Sequence, residues 1–139
     1  MNIEKIISAD LVSFVFRNKI RMSIAEASFI PSDLAVSYLE LADDDYTHLV
    51  QNNRCLFFNR LNVCSNDRNK GIGSALLKEL IAYCAEHDYL LINTINNYGE
   101  MSDLELIAFY EKNGFKLINE EGLLIYHHEL FNFNSPSVI

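Results

Sequence analysis

The segment Leu61–Leu77, with the sequence LNVCSNDRNKGIGSALL, combines residue types that favour binding of an anion. A strand-like start leads into a short polar turn, and Gly71 and Gly73 then open a helical pattern. Glycines at the mouth of a helix let the backbone approach a ligand closely, so that the unpaired N–H groups and the helix dipole face an anion. Arg68 and Lys70 add positive charge. The segment is therefore predicted to cradle a diphosphate.

Two well-known phosphate-binding patterns do not fit this segment. No Gly-Lys-Ser/Thr follows at the distance that a Walker A loop requires, and Leu76 stands where a G-x-G-x-x-G dinucleotide fingerprint has its third glycine. A nucleotide-dependent enzyme is therefore the less favoured interpretation. A tight turn packed against a sheet, with no ligand, is another interpretation of the same residues.

The cysteines and histidines follow no ligand spacing. The three cysteines include no CxxC pair, which is typical of reduced thiols in a cytosolic protein rather than of a disulfide framework or a zinc site. The four histidines form no HExxH pattern, so no metal site is predicted. These residues are Cys55, Cys64, Cys84, His48, His87, His127 and His128.

Length and charge narrow the class of protein further. The 139 residues suit one domain. Eleven basic residues stand against nineteen acidic ones, a net charge of -8, which argues against a nucleic-acid binder. An acidic surface is compatible with a cationic acceptor such as an amine, or it serves only solubility. The sequence shows no secretory leader and no apolar run near the ~20 residues of a membrane span, so we expect a cytoplasmic protein.

The first sixty residues carry mainly strand patterns. Apolar residues that alternate with polar or small ones, or that form short runs, indicate strands. An acidic run is predicted to open a short helix that ends at Val50, because acids suit a helix N-terminus. Ahead of the first strand, only Ile3–Asp10 leaves room for a helix. The predicted strands are Val12–Arg17, the set Ile20, Met22 and Ile24, the set Leu34, Val36 and Tyr38, and Cys55–Val63, and the acidic run is Asp43–Asp45.

The second half alternates helices with strands. Apolar residues recur at helical spacing as far as His87, which predicts an amphipathic helix. Ser102 and Glu105 fit a capping box, and the helix that they begin should end at Asn113-Gly114. The predicted strands here are Leu90–Ile95, Phe115–Ile118 and Leu123–His127.

This order of elements predicts the fold class and the domain boundary. A strand-rich half followed by β-α-β-α-β-β is typical of a mixed α/β (α+β) domain built on one sheet. We expect a single domain over residues 1–131. Residues 132–139, NFNSPSVI, are expected to form a flexible tail, because Asn, Ser and Pro replace periodic apolar residues there.

Two motifs resemble a known enzyme family. Arg68–Gly73 matches the [RQ]-x-x-G-x-[GA] loop of the GNAT (GCN5-related) N-acetyltransferases, and Ala108–Phe115 matches that family's A-x-x-Y-x-x-x-G-F pattern. The resemblance covers about Cys55 to Leu130. It implies a central, mostly antiparallel mixed sheet flanked by helices, and transfer of an acetyl group from acetyl-CoA to a primary amine by direct attack.

The resemblance also implies roles for individual residues. Tyr110 would be the general acid that protonates the departing thiolate of coenzyme A, since a phenol with a pKa of roughly 10 can protonate a thiolate. Asn93 would lie near the meeting point of thioester and amine. The backbone of Leu61, Asn62 and Val63 would pair with the pantetheine arm. The pyrophosphate would lie on the main-chain N–H groups of Arg68, Asn69, Lys70, Gly71, Ile72, Gly73 and Ser74.

The residue at the usual position of the general base is the main difference from the family pattern. The family often has a Glu where this chain has Asn59, and an amide cannot accept the proton. We expect Glu40, on the predicted preceding strand, to serve as the base. Glu26, one strand earlier, is the other candidate, and loss of the amine proton to solvent is the third alternative. A second departure is Asp103, which replaces the family's usual Asn and is expected to cap the last helix.

The N-terminal helical region is predicted to be shortened. The family commonly places two helices between its first two strands, and little fits there in this chain. The acceptor cleft would then be open on one side, which suits a peptide or protein amine, or would be completed by a second subunit in a homodimer. The acceptor itself, a small molecule or a protein, stays open.

Two other mechanisms or functions are compatible with the same residues. A catalytically weak or inactive module that binds CoA and acts through a protein partner would explain Asn59 and the short N-terminal part. An acyl-cysteine relay through Cys64 is disfavoured relative to direct attack, because we expect Cys64 to be a packed or loop cysteine.

Overall fold

The computed structural model describes residues 1–40, 46–68, 70–95 and 101–133. Within these ranges the chain forms seven strands and five α-helices. The strands are β1 (Ile3–Ile7), β2 (Leu11–Asn18), β3 (Arg21–Ile30), β4 (Cys55–Asn62), β5 (Leu90–Thr94), β6 (Lys116–Leu117) and β7 (Leu123–Tyr126). The helices are α1 (Ser32–Leu39), α2 (His48–Asn52), α3 (Ile72–His87), α4 (Asp103–Lys112) and α5 (His128–Phe133).

All seven strands join one sheet in the order β1-β2-β3-β4-β5-β7-β6. Every neighbouring pair is antiparallel except β4 and β5, which are parallel. A parallel pair needs a crossover connection, and α3 supplies it between β4 and β5. The predicted fold, a mixed and mostly antiparallel sheet flanked by helices, is confirmed.

The two faces of the sheet carry separate apolar cores. One face packs against α3, with α4 at its margin; its buried set includes Val12, Phe14, Leu56, Leu76, Leu77, Leu80, Leu91 and Leu124. The other face packs against α1, α2 and α5; its buried set includes Ala35, Leu39, Leu49, Leu90, Ile92, Ile125 and Leu130. Alternate residues of β5 thus enter opposite cores, as the period of two in a strand requires.

Helix α3 follows the predicted apolar period over sixteen residues. Its buried residues Ile72, Leu76, Leu77, Leu80 and Cys84 form one stripe that faces the sheet. The predicted capping box of α4 is also present, because Ser102 Oγ accepts the Glu105 backbone N–H and Glu105 Oε1 accepts the Ser102 backbone N–H. Gly114, just after α4, has a φ of 99°, the left-handed exit that was predicted.

Three N-terminal expectations were wrong. The segment Ile3–Asp10 contains a strand, β1, which pairs antiparallel with β2, and not a helix. The set Leu34, Val36 and Tyr38 lies on α1, because the residues that this segment buries fully are Ala35 and Leu39, one helical turn apart. Ile20, predicted within a strand, is fully exposed in the turn between β2 and β3.

The positions of the short helices also differ from the family pattern. Both α1 and α2 lie between β3 and β4, and only three residues, 8–10, connect β1 to β2. The helix predicted to open at Asp43–Asp45 begins at His48 in the structure, and Asp43–Asp45 lie outside the described residues. Helix α5 was not predicted; it extends through Phe133, and residues 134–139 of the expected tail lie outside the described residues.

No helix in the described ranges is long and apolar enough to cross a membrane.

The α3 stripe provides a test of the fold. We expect Leu80→Ala to lower the free energy of unfolding by about 2–5 kcal/mol, because Leu80 is fully buried and truncation leaves a cavity. The control Leu104→Ala removes a leucine that is 80% exposed on α4, and it should change stability by no more than about 0.5 kcal/mol. Urea denaturation monitored by circular dichroism measures both; equal losses would contradict this packing.

Candidate active site

The centre of the candidate site is the place where β4 and β5 separate. Their parallel pairing covers only Cys55–Phe57 against Leu90–Ile92. Beyond Phe57, β4 continues to Asn62 while pairing only with β3. Along residues 58–62, the edge of β4 that faces β5 therefore has backbone N–H and C=O groups without a strand partner in the described part of the chain. Such groups are available to an extended ligand.

A β-bulge at Asn59 accounts for this separation. The register of β3 against β4 passes from Ala27–Phe58 to Glu26–Arg60, so Asn59 is the additional residue on β4. A bulge bends its strand and increases its twist, and it lies here directly after the last β4–β5 pair. Asn59 therefore contributes to the site through its backbone, because the bulge that it forms separates β4 from β5. Its side-chain amide cannot replace the family's Glu as a base.

The loop that follows β4 is attached to the hairpin of β2 and β3. Asn18 Nδ2 donates to Asp67 Oδ1 at 2.8 Å, and the Cys64 backbone N–H donates to Ser23 Oγ at 3.0 Å. Asp67 and Ser23 are both buried. The sequence patterns did not predict that Asn18 and Ser23 hold this loop in place, because their hydrogen-bond partners lie more than forty positions away in the chain.

The predicted anion-binding residues surround the start of α3. Gly71, with a φ of 79°, precedes the first helical residue and, as a glycine, offers no side chain to cap the first turn. A Cβ atom added to Gly73 would lie 3.2 Å from Val63 Cγ2, so a larger residue would displace the end of β4. Arg68 Nε donates to the Val63 carbonyl at 3.2 Å and holds the loop against that strand.

The other predicted anion-binding residues are distributed as follows. Lys70 is exposed, Ile72 is buried, Ser74 is half-buried in the first turn of α3, and Asn69 lies outside the described residues. The backbone positions Leu61 and Asn62 end β4, and Val63 follows it. The predicted pantetheine and pyrophosphate residues are thus joined by the hydrogen bond of Arg68 to Val63 and by the close approach of Gly73 to Val63.

Tyr110 and Asn93 meet on the α3 and α4 side of the gap. The Tyr110 ring packs edge-on against Phe58 of β4, with a centroid distance of 5.9 Å. Burial raises the pKa of the Tyr110 hydroxyl, and the neighbouring Asn93 side chain offsets part of that rise. The hydroxyl therefore remains protonated at neutral pH, which is the form that a proton donor needs.

The Asn93 amide has an unused donor at the same place. Asn93 is 3% exposed, and its buried Nδ2 lies near the Tyr110 hydroxyl but makes no hydrogen bond of ordinary geometry among the described residues. A buried donor without an acceptor is costly, so a ligand that accepts this hydrogen bond would remove the cost. Together with the unpaired β4 edge and the uncapped α3 start, this amide fits a thioester carrying a diphosphate, as acetyl-CoA does.

The two candidate bases lie in different environments. Glu40 is an exposed residue at the C-terminal end of α1, so its expected position on a strand was wrong. Glu26, on β3, is only 18% exposed; its carboxylate accepts Asn59 Nδ2 and Ser13 Oγ, each at 3.4 Å, and lies 3.8 Å from Arg60 Nε. Of the two carboxylates, Glu26 is the one beside the bulge.

Glu26 and Tyr110 lie on opposite faces of the sheet. Glu26 pairs across the strands with Ser13, whose neighbours Val12 and Phe14 belong to the core under α3. Glu26 therefore points to the other face, whereas Tyr110 packs beside the α3 core. Glu26 lies on β3, one strand away from the gap, and its cross-strand partner Arg60 lies on the unpaired part of β4. Asp103, at the first position of α4, is exposed and adds an acid to the helix start.

Comparisons with known proteins agree with this architecture. The family model described as an acetyltransferase (GNAT) domain matches residues 24–117. No curated protein matches the chain in sequence. Among solved structures, NAA60 of Arabidopsis thaliana in complex with acetyl-CoA has a TM-score of 0.58 and 18% identity, and the match covers 88% of this chain and 78% of that one.

Two further structures are similar at the level of the fold. The same plant protein in complex with a bisubstrate analogue has a TM-score of 0.51 and 18% identity, with 85% of this chain and 73% of that chain covered. The KacTA–DNA complex has a TM-score of 0.54 and 18% identity, with 91% and 76% covered. Because the family match extends over well more than half of the 139 residues and includes the gap, the glycine loop and Tyr110, the chain belongs to the acetyltransferase (GNAT) domain family.

Proposed function

We propose that this protein is an N-acetyltransferase that transfers the acetyl group of acetyl-CoA to a primary amine by direct attack. The observation that carries the proposal is the unpaired edge of β4 beside β5, with the buried Asn93 Nδ2 and the protonated Tyr110 at its side. Family membership supports the same reaction, and so does the complex of the similar NAA60 structure with acetyl-CoA.

The cosubstrate would be held mainly by the backbone. The first N–H groups of α3, with Arg68 and Lys70 nearby, suit the pyrophosphate, since a helix N-terminus without a cap attracts anions. The free edge of β4 at Leu61, Asn62 and Val63 suits the amide groups of the pantetheine arm. Acetyl-CoA supplies an acetyl group activated as a thioester. Asn93 Nδ2 would donate to an oxygen of the bound thioester, where negative charge develops during attack.

The proton transfers would occur on the two sides of the gap. Tyr110 would protonate the departing thiolate from the α4 side. Glu26 would accept the proton of the attacking amine from the opposite face, where Ser13 and Asn59 orient its carboxylate. We place the base at Glu26 rather than Glu40 because Glu40 is exposed at the end of α1. The excess of acidic residues would favour a cationic acceptor, either a small amine or an amine of a peptide.

Direct attack is favoured over a cysteine relay by the state of the thiols. Burial raises the pKa of Cys55 to about 11 and that of Cys84 to about 12, so neither supplies a thiolate at neutral pH. Cys64 lies between the end of β4 and the anion loop, where its backbone is bound to Ser23. Reduced thiols are also compatible with the cytoplasmic location that we propose.

Tyr110→Phe tests the general acid. We expect kcat to fall about 10²-fold, because general acid catalysis typically contributes at least that much, while the affinity for acetyl-CoA stays within about twofold. Release of free thiol from acetyl-CoA over a panel of amines measures the rate. The matched control Tyr83→Phe removes a tyrosine hydroxyl from α3, where the ring packs at a tilt against His87, and should keep the wild-type rate. An unchanged rate in Tyr110→Phe would contradict the assignment.

The pair Glu26→Gln and Glu40→Gln tests the general base. We expect kcat/KM to fall about 10²-fold in Glu26→Gln only, because an amide cannot accept the proton of the amine. Glu40→Gln should behave as the wild type. A loss confined to Glu40→Gln would assign the base to α1, and wild-type rates in both variants would mean that solvent takes the proton; either result would contradict the role of Glu26.

A module that binds acetyl-CoA and acts through a protein partner is the second candidate. Asn59 at the family's usual Glu position favours it, because an amide cannot accept a proton. Such a module would bind acetyl-CoA, release no thiol with any amine, and respond to neither Tyr110→Phe nor Glu26→Gln. The enzyme assays above therefore distinguish the two candidates.

A further inference from the structure

A cluster of three metal-ligating side chains lies at the far end of α3 from the candidate active site. Asp88, His127 and His128 each offer a ligand atom, and these atoms all lie within 4.8 Å of one another. The sixteen residues of α3 separate this cluster from Gly71 by about 24 Å, at 1.5 Å per residue. The cluster is therefore a feature independent of the acetyl-CoA cleft.

The fold, rather than a sequence motif, brings the three residues together. Asp88 follows the last residue of α3 in a left-handed conformation with a φ of 59°, and it leads into β5. The start of β5 pairs with the end of β7, at Leu91 and Tyr126. His127 and His128 come directly after that strand, so they meet Asp88 across forty positions of sequence.

The hydrogen bonds of the cluster leave one buried donor or acceptor without a partner. His128 Nε2 is in contact with Asp88 Oδ1. His127 is 1% exposed, its Nδ1 accepts the Glu129 backbone N–H at 3.2 Å, and its ring lies beside the Asp88 backbone, but its buried Nε2 makes no hydrogen bond of ordinary geometry among the described residues. A buried imidazole nitrogen without a well-placed partner, next to a second imidazole and a carboxylate, suits a further ligand.

The charges around the cluster favour a cation. The C-terminus of α3 carries the negative end of the helix dipole, and Asp88 adds a carboxylate there. Glu129 follows the two histidines. Asp88 and His128 keep side-chain exposures of 67% and 32%, so a solvated ion can reach the cluster.

We propose that Asp88, His127 and His128 form a binding site for a divalent transition-metal ion of the zinc class. Two imidazoles and one carboxylate are a common zinc ligand set, whereas magnesium and calcium prefer oxygen ligands. Water would complete the coordination. Binding through His127 Nε2 moves the ring proton to Nδ1, so the 3.2 Å hydrogen bond from the Glu129 backbone N–H is lost and the His127 ring must turn to separate the two N–H groups. The ion would link the start of α5 to the end of α3 through its ligands and so stabilise the fold. It would not take part in acetyl transfer.

Zinc binding to the full chain tests this site. Titration with zinc chloride should show one ion per chain with a Kd in the micromolar range or below, and zinc should raise the melting temperature of the wild type. Asp88→Asn and His128→Gln should each weaken binding at least tenfold and abolish the thermal shift. Asn is well suited to the left-handed conformation at position 88, so Asp88→Asn should keep the fold, which circular dichroism verifies.

The matched control is His87→Gln. It removes a histidine one position from Asp88 whose Nδ1 contacts the Tyr83 carbonyl and which is not part of the cluster. This variant should bind zinc as the wild type does. The proposal is overturned if the wild type shows no saturable zinc binding, if zinc binds Asp88→Asn and His128→Gln unchanged, or if His87→Gln weakens binding as much as His128→Gln.

Discussion

The position of β4 governs the rest of the structure. It pairs with β3 along its whole length, but its parallel pairing with β5 ends after three residues, at the point where Asn59 forms a bulge. A strand bent in this way cannot satisfy both neighbours, so one edge of its backbone remains without a partner. This edge lies between two layers of helices, and its backbone N–H and C=O groups are available to an extended ligand.

The surrounding elements converge on that gap. The first turn of helix α3 packs against Val63, which follows the end of β4. Gly73 allows this close approach because it has no side chain. Asn93 and Tyr110 border the gap on one face, and Glu26 lies on the other. The two faces are buried by separate apolar cores, so the gap is bounded by rigid layers. Rigid boundaries are what positioning of a thioester against an amine requires.

Most of the features that could be predicted from the sequence depend on residues close together in the chain. The glycine loop, the period of α3 and the capping box at Ser102 depend on neighbours within a few positions, and the structure contains all of them. The prediction failed for α1, because eight residues with alternating apolar side chains fit a strand and a short helix equally well. Glu40 was consequently placed on a strand and beside the site.

Features that depend on pairing between distant parts of the chain could not be predicted from the sequence patterns. The bulge at Asn59 appears only in the register of β3 against β4, and the contacts of Glu26 depend on it. Asp88 meets His127 and His128 only because β5 and β7 are neighbours in the sheet. Spacing rules for metal ligands cannot detect residues that tertiary pairing brings together. The role that we propose for Tyr110 came from the family resemblance, because residue periodicity carries no information about proton transfer.

Titration calorimetry with acetyl-CoA, with ATP as the control ligand, tests the central claim most directly. We predict binding of acetyl-CoA in the micromolar range, no comparable binding of ATP, and at least a tenfold loss of acetyl-CoA affinity in Gly73→Val, whose side chain would press on Val63. No binding of acetyl-CoA at saturating protein concentration, or equal binding of ATP, would contradict the claim that the gap and the α3 start form an acetyl-CoA site.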